Sequence, residues 1–332
     1  MCIRDSSELW QAYAEMGWLG IMVPEPHGGL GGSLVDAALI QQQLGKQLVR
    51  SPWLQHSVTA ATGLALGGSD PEHFKRLVSG SRIYTAGLFE NDQCTHVETT
   101  GKNDGESIIV NGCKRLVPWA AQANRVLISA RVDDSIRLLC VDPYSEGVKL
   151  RPYSMYDGSR AADVELNDVR VEGINILGTL GDSDLQHIVD RETAMLVAEA
   201  TAIMWAVHDQ TLEYLKTREQ FGTTLGSFQA LQHRMVDVYV DCELAQSLAE
   251  DAVLAANEAN SKDTVKRITA AKAWIGEAGR NVGKEGIQLH GGIGMTNDIP
   301  IGHYFKRLSA ISRLNGSSEW QRNRFAGLNG AS

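Results

Sequence analysis

The spacing of apolar positions divides the chain into three successive regimes. From Leu9 to about Gly80 apolar residues recur at helical spacing (Leu9, Ala12, Tyr13, Met16, then Val35, Leu39, Leu44), interrupted by the loop Val23-Pro-Glu-Pro-His-Gly-Gly-Leu-Gly-Gly32. From Ser81 to about Gly178 the pattern shortens to β-rich runs: Ile83–Leu88, Ser107–Val110, Arg125–Ala130, Ile136–Val141 and Ala162–Val171. Turn signals stand at Asp104-Gly105, Asn111-Gly112 and Asp157-Gly158. Strands at this spacing without intervening helices predict an antiparallel barrel or sandwich. From Asp184 long helical periods return. The clearest is Phe228, Leu231, Met235, Val238, Cys242, Ala245, Ala249, Ala252, which keeps one face for about seven turns. Four such segments, near 184–217, 227–259, 262–289 and 303–328, predict an antiparallel bundle. The predicted class is α+β, with an N-terminal helical domain over 1–80, a central antiparallel β-barrel or sandwich over 81–183, and a C-terminal four-helix bundle over 184–332.

Composition narrows the function classes. The 332 residues carry 31 Lys+Arg against 40 Asp+Glu, a formal net charge of −9. That balance argues against a nucleic-acid partner, because neutralising phosphates needs a basic face. A 43% hydrophobic and 21% charged composition belongs to a folded chain with enough residues for two or three cores. The longest nearly apolar stretch, Ala194–Val207, is broken by Glu199 and is shorter than the roughly 20 residues of a bilayer span. No membrane association is expected. Five scattered cysteines (Cys2, Cys94, Cys113, Cys140, Cys242) without a CxxC read as reduced thiols. The opening Met1-Cys2-Ile3-Arg4-Asp5-Ser6 resembles neither a secretory signal nor a transit peptide, so a cytoplasmic location is expected, with some native sequence missing ahead of it. No histidine spacing suggests a metal site; His233 and His290 read as helix-end polar residues. Trp53, Trp119, Trp205, Trp274 and Trp320 are dispersed and read as packing residues.

Three segments carry candidate chemistry. The Pro24–Gly32 loop follows no strand, so its glycines read as a tight surface turn. Thr217-Arg-Glu-Gln-Phe-Gly222 ends one long helix, where Arg218 could either grip a phosphate or offset the helix dipole. Gln288-Leu-His-Gly-Gly-Ile-Gly-Met295 sets three glycines at a helix end, which suits either close backbone approach to an anion or a glycine C-cap.

Taken together, Gly17-Trp-Leu-Gly-Ile-Met-Val-Pro-Glu-Pro-His-Gly-Gly-Leu-Gly, Arg218-Glu-Gln-Phe-Gly with Phe228-Gln-Ala-Leu-Gln-His233, and Gln288-Leu-His-Gly-Gly-Ile-Gly-Met-Thr296 resemble the acyl-CoA dehydrogenase family in order and spacing, from about Leu9 to Leu328. The resemblance implies helical, β and four-helix domains assembled as a dimer of dimers around FAD. It implies α,β-dehydrogenation of an acyl-CoA thioester, with an electron-transfer flavoprotein as acceptor. Such a site needs a carboxylate to take the α-proton in a dry pocket while hydride leaves Cβ. In most of the family that base stands in a Glu-Gly-Thr segment. The matching stretch here is Leu314-Asn-Gly-Ser-Ser-Glu-Trp-Gln-Arg322, with Asn315 in its place. Isovaleryl-CoA and long-chain dehydrogenases instead carry the base 26 residues before the Arg of Arg-x-x-Phe-Gly, and that spacing falls on Glu192. Glu199, two turns further along the same face, is the reserve.

By resemblance, Arg218, Phe221, Gln229, Gln288, Gly291, Gly292 and Ser317 form the FAD-binding half that reaches across the dimer. The flavin-ring half departs from the family: Gly87-Leu-Phe-Glu-Asn-Asp-Gln-Cys94 replaces Thr-Glu-Pro-x-Ala-Gly-Ser-Asp, and Leu116-Val-Pro118 replaces Trp-Ile-Thr. These departures resemble the short bacterial subunits that work as α2β2 heterotetramers on bulky substrates such as sterol side-chain thioesters. Two readings follow: a catalytic dehydrogenase using Glu192, as a homotetramer or the active half of a heteromer, and a catalytically incomplete partner that completes a shared FAD site.

Overall fold

A computed structural model describes residues 7–91, 95–258 and 261–330. The expectations for Met1–Ser6, including Cys2, and for Cys94 lie outside these residues. The chain forms two compact units: one of the described residues up to Ala37 with Arg50–Glu192, the other of Ala38–Val49 with Thr193 onward.

The first unit joins short helices to one mixed sheet. Its helices are α1 (Ser7–Glu15), the start of α2 (Leu34–Lys46), α3 (Ala61–Leu66) and α4 (Pro71–Val78). Its strands are β1 (Tyr84–Gly87), β2 (Thr100–Asp104), β3 (Ser107–Pro118), β4 (Arg125–Val132), β5 (Ser135–Val141), β6 (Val148–Ser154), β7 (Arg160–Glu172) and β8 (Ile176–Leu180). Strand order is β6-β7-β3-β2-β4-β5-β8, with β1 also paired to β4. Most pairs are antiparallel, as the sequence predicts, but β1 and β2 both run parallel to β4. Parallel pairing needs a crossover, and the chain from β2 to β4 supplies one through the antiparallel β3.

Alternation along β4 and β5 splits the core in two. Val126, Ile128, Ala130, Leu139 and Val141 join Val110, Val164 and Val169 in a cluster made by the sheet and its loops. Leu127, Leu138 and Cys140 face the other way, onto Leu64, Phe74, Leu77 and Ile188. Three strands escape periodicity: β2 and β6 are largely exposed and polar, and β8 is short. Asn111-Gly112 reads as a turn but lies inside β3. Gly112 sits at a register shift where a Cβ would come within 2.8 Å of the Thr99 backbone, so the glycine permits a bulge and a close chain approach.

The second unit contains most of α5 (Asp182–Thr217), with α6 (Gln229–Asn257), α7 (Lys262–His290), α8 (Ile301–Ile311) and α9 (Ser318–Gly330). The α6 periodicity is realised: Met235, Val238, Cys242, Ala245, Ala249 and Ala252 are buried. The fourth predicted segment, 303–328, is two helices. Asn315 and Gly316 take left-handed φ of 54° and 96°, which ends helical propagation between α8 and α9. Cys140 and Cys242 are buried free thiols, and Cys113 is half-buried. No helix among the described residues is long and apolar enough to cross a membrane.

His56 gives the first unit a pH dependence. It lies in a π-helical turn, Gln55–Ala60, and is fully buried. Its Nδ1 accepts from the Tyr84 backbone N–H at 3.0 Å, so Nε2 carries the proton donated to Leu77 O at 3.0 Å. Burial pushes its pKa down to about 4, against the opposing pull of the Leu77 carbonyl. The unfolded chain therefore binds the extra proton first, and stability present above pH ~6.5 is lost as pH falls towards 4, by about 3 kcal/mol. Urea unfolding of wild type and His56→Gln across pH 4–7 checks this. The variant should show the shallower dependence, and equal slopes would refute the assignment.

Candidate functional site

The end of α5 and the end of α7 are tied together by aromatic and apolar contacts. Tyr214 stacks on His290 with ring centroids 4.4 Å apart, and Tyr214 Oη donates to His290 O at 3.3 Å. Leu215 and Leu289, their neighbours, share a small buried cluster with Met235. His290 Nδ1 lies 2.7 Å from Gly286 O, and burial holds its pKa below the ordinary value. It is thus a buried ring that fixes a helix end, as its place in the sequence suggests.

This anchoring presents two sets of exposed groups from one unit. Past Tyr214, Arg218 is exposed and makes no ion pair among the described residues. Past His290, Gly291 adopts φ 65°, ψ −142°, and side-chain atoms placed on Gly291 or Gly292 would meet nothing within 4 Å. The result is bare, outward-facing backbone. Gln229 and Gln288 are exposed as well. Phe221 and Gly222 form the two-residue turn of the hairpin β9 (Glu219–Gln220) and β10 (Thr223–Thr224), both at positive φ, 55° and 82°. That is a type I′ turn, in which Phe is a costly first residue. Phe221 is 91% exposed, with Phe228 edge-on at 6.3 Å.

Ser317 caps α9: its Oγ accepts from Trp320 N at 3.2 Å, and its hydroxyl proton remains able to donate. Next to it, Asn315 Nδ2 donates to Thr193 Oγ1 at 3.2 Å, while Gln321 Nε2 donates to Asn315 O at 2.7 Å. An unpaired cation, bare glycine backbone, exposed amides and a hydroxyl fit the phosphates and polar edges of a dinucleotide such as FAD.

The two candidate carboxylates differ in their surroundings. Glu192, on α5, is 9% exposed, and its Oε1 accepts from Gln55 Nε2 at 3.3 Å. Gln55 opens the π-helical turn, a rare element that often marks functional sites. Glu199 is 4% exposed and clamped: Arg307 Nε donates to Oε1 at 2.5 Å, Arg307 Nη2 to Oε2 at 2.8 Å, and Gln41 Nε2 to Oε2 at 2.7 Å. Both of its oxygens are committed to an ion pair.

In the first unit the segments Gly87–Asn91 and Lys114–Trp119 come together. Arg115 N donates to Phe89 O at 2.8 Å, and the fully buried Lys114 pairs with Glu90 and donates to Ser129 Oγ at 3.0 Å. Burial raises the Glu90 pKa, but Lys114 and the Thr99 donors outweigh it and hold the carboxyl below its ordinary range. Leu116 is bulged outward at φ 51°, its N–H taken by Asp163. Pro118 offers no side-chain or backbone donor, and its carbonyl accepts from Thr85 Oγ1 at 2.7 Å.

Sequence reasoning missed Gln55, Tyr214, Arg307 and Lys272. The last had a signal, because Lys272 interrupts the apolar spacing Ile268, Ile275, Val282 on the buried face of α7. Gln55 had none, since its role depends on a distant glutamate. Among the described residues no cluster of three His, Cys, Asp or Glu could hold a metal ion.

Comparison with known proteins gives two matches to one family. The model of the acyl-CoA dehydrogenase C-terminal domain matches residues 183–327, and that of the N-terminal domain residues 4–76. A probable acyl-CoA dehydrogenase of Bacillus subtilis, YngJ, is 27% identical over 95% of this chain and 87% of its own length. Among solved structures, the Tcur3481–Tcur3483 steroid acyl-CoA dehydrogenase variant is 29% identical, with TM-score 0.87, covering 98% of this chain and 88% of that one. The ChsE4–ChsE5 complex of Mycobacterium tuberculosis is 25% identical, with TM-score 0.89, covering 100% and 90%.

Replacing Phe221 by Asn should relieve the strained turn and stabilise the chain by about 1 kcal/mol. Lower stability in urea would mean that the Phe228 contact outweighs the backbone strain.

Proposed function

Because the chain belongs to the acyl-CoA dehydrogenase family, whose members are FAD-binding oxidoreductases, we propose that it dehydrogenates an acyl-CoA thioester between Cα and Cβ with Glu192 as the base. The observation that carries this reading is the placement of the carboxylates. Glu192 is 9% exposed and accepts from the Gln55 amide at the start of the π-helical turn, whereas both Glu199 oxygens are taken by Arg307 and Gln41. A carboxylate in little water, turned by an amide donor, can take a weakly acidic proton. Asn315, an amide, cannot. When bound, FAD accepts the hydride that leaves Cβ. On this reading Arg218 meets its pyrophosphate, the Gly291–Gly292 backbone and Gln288 lie along it, Gln229 and Ser317 offer polar contacts, and Phe221 covers an apolar edge. An electron-transfer flavoprotein as acceptor, and a cytoplasmic setting, are part of the same proposal.

A second reading is favoured by the first unit. Pro118 brings no donor, and the Arg115 and Leu116 N–H groups are already bonded within the unit, so this chain offers little to a flavin ring. Two of the solved structures similar to it, Tcur3481–Tcur3483 and the ChsE4–ChsE5 complex, are named for two proteins each. The chain would then lend Arg218 and the Gly291–Gly292 turn to a FAD shared with a second family member in an α2β2 heterotetramer, and a steroid-type thioester would be the substrate class to try first.

The visible spectrum of the chain purified alone separates the two. Near-stoichiometric flavin, bleached by acyl-CoA, supports the self-sufficient enzyme. Glu192→Gln should keep the flavin but lose reduction rate by about 10²–10⁴-fold. A colourless protein that takes up flavin only with a co-expressed partner supports the shared site, and unchanged bleaching in Glu192→Gln removes that residue from the mechanism.

A further inference from the structure

The turn between α8 and α9 contains Asn315, Gly316 and Ser317, and its shape is not one a chain adopts unaided. Two successive residues have left-handed φ. A side chain on Gly316 would come within 2.5 Å of the Trp320 ring. What holds the turn from below is Lys272. It is 0% exposed, at mid-length in α7, and its Nζ donates to Gly316 O at 3.0 Å. One turn later on the same face of α7, Gly276 leaves room for Ser318, whose Oγ would lie 2.6 Å from any Cβ there. The two positions act together: Gly276 lets the start of α9 approach α7, and Lys272 hooks the carbonyl just before it.

A buried ammonium is an expensive way to stabilise a helix bundle. Removing the charge from water costs several kcal/mol, and an apolar side chain of similar size would pack at no such cost. Burial alone drives the Lys272 pKa down to about 7, with no opposing acidic group. A lysine in such a place is accounted for by the one thing an apolar residue cannot do, which is to fix the position of a carbonyl.

We propose that Lys272 is a positioning residue for the cofactor site: through Gly316 it sets the turn that places the Ser317 hydroxyl. This rests on the reading that Ser317 belongs to the FAD site. The other supports of the turn are neutral hydrogen bonds on either side of Gly316, from Gln321 to Asn315 O, from Asn315 to Thr193, and from the Trp320 and Gln321 N–H groups to Ser317, so none of them replaces the hook on Gly316.

The test compares full-length wild type, Lys272→Met and Lys272→Gln by amide hydrogen exchange, thermal unfolding and FAD binding. Lys272→Met removes a desolvated charge while keeping the volume. The expected result is a Tm equal to or above wild type, exchange at residues 313–318 at least about tenfold faster, and an FAD Kd about tenfold weaker. Lys272→Gln, which retains a neutral donor, should fall between the two and serves if Lys272→Met does not fold. Unchanged exchange at the turn overturns the proposal. So does a lower Tm with faster exchange along all of α7, which is the signature of a merely structural residue. Exchange needs no cofactor, so a wild-type chain that binds no FAD by itself would refute the self-sufficient enzyme and leave the role of Lys272 decided by its turn.

Discussion

The pairing of Glu199 with Arg307 is the constraint around which the helical unit is arranged. A carboxylate that is 4% exposed needs close and well-aimed partners, and Arg307 supplies a two-pronged contact from α8. The third donor, Gln41, comes from the segment Ala38–Val49, which belongs to this unit although it is far away in sequence. Gly45, one turn beyond Gln41, has no side chain because a Cβ would lie 2.5 Å from Glu199 Cγ. The Tyr304 hydroxyl, on α8, then donates to Lys46 O at 2.8 Å. One charge pair therefore fixes α8 and the end of α2 against the middle of α5.

The ends of α5 and α7 are organised by a different principle. Stacking of Tyr214 on His290 does not confer reactivity on either ring; it sets the directions in which Arg218 and Gly291 leave their helices. Among the described residues the groups beyond the stack have few partners: a guanidinium without an ion pair, glycine backbone facing open space, and a phenylalanine at a turn that favours Asn.

Much of this was legible in the sequence, and the parts that were not share a cause. Periodicity located α5, α6 and α7 because each buries a continuous apolar face. It ran α8 and α9 together because their spacing stays helical on both sides of Asn315-Gly316, and left-handed φ leaves no hydrophobic trace. β2 and β6 were missed because they bury little. Asn111-Gly112 was misread because the same dipeptide serves a turn or a bulge, and only the distant Thr99 decides between them. Among the candidate site residues, those with a local signature (Arg218, Gly291, Gly292) could be named by resemblance. Gln55, Arg307 and Gln41, which act across more than a hundred residues, could not.

The same reasoning separates the two glutamates. In sequence they are seven apart on one helix, amid similar apolar neighbours, and only the 26-residue spacing to Arg218, carried over by resemblance, ranks Glu192 first. What sets Glu199 apart comes from other segments, a guanidinium and an amide that together take both of its oxygens. A guanidinium in a two-pronged contact occupies a carboxylate's lone pairs and fixes its position, so the group becomes structural. One residue type, two turns apart on α5, thus sits in two settings, and it is Arg307 and Gln41, brought from elsewhere in the chain, that make Glu199 a tie between segments.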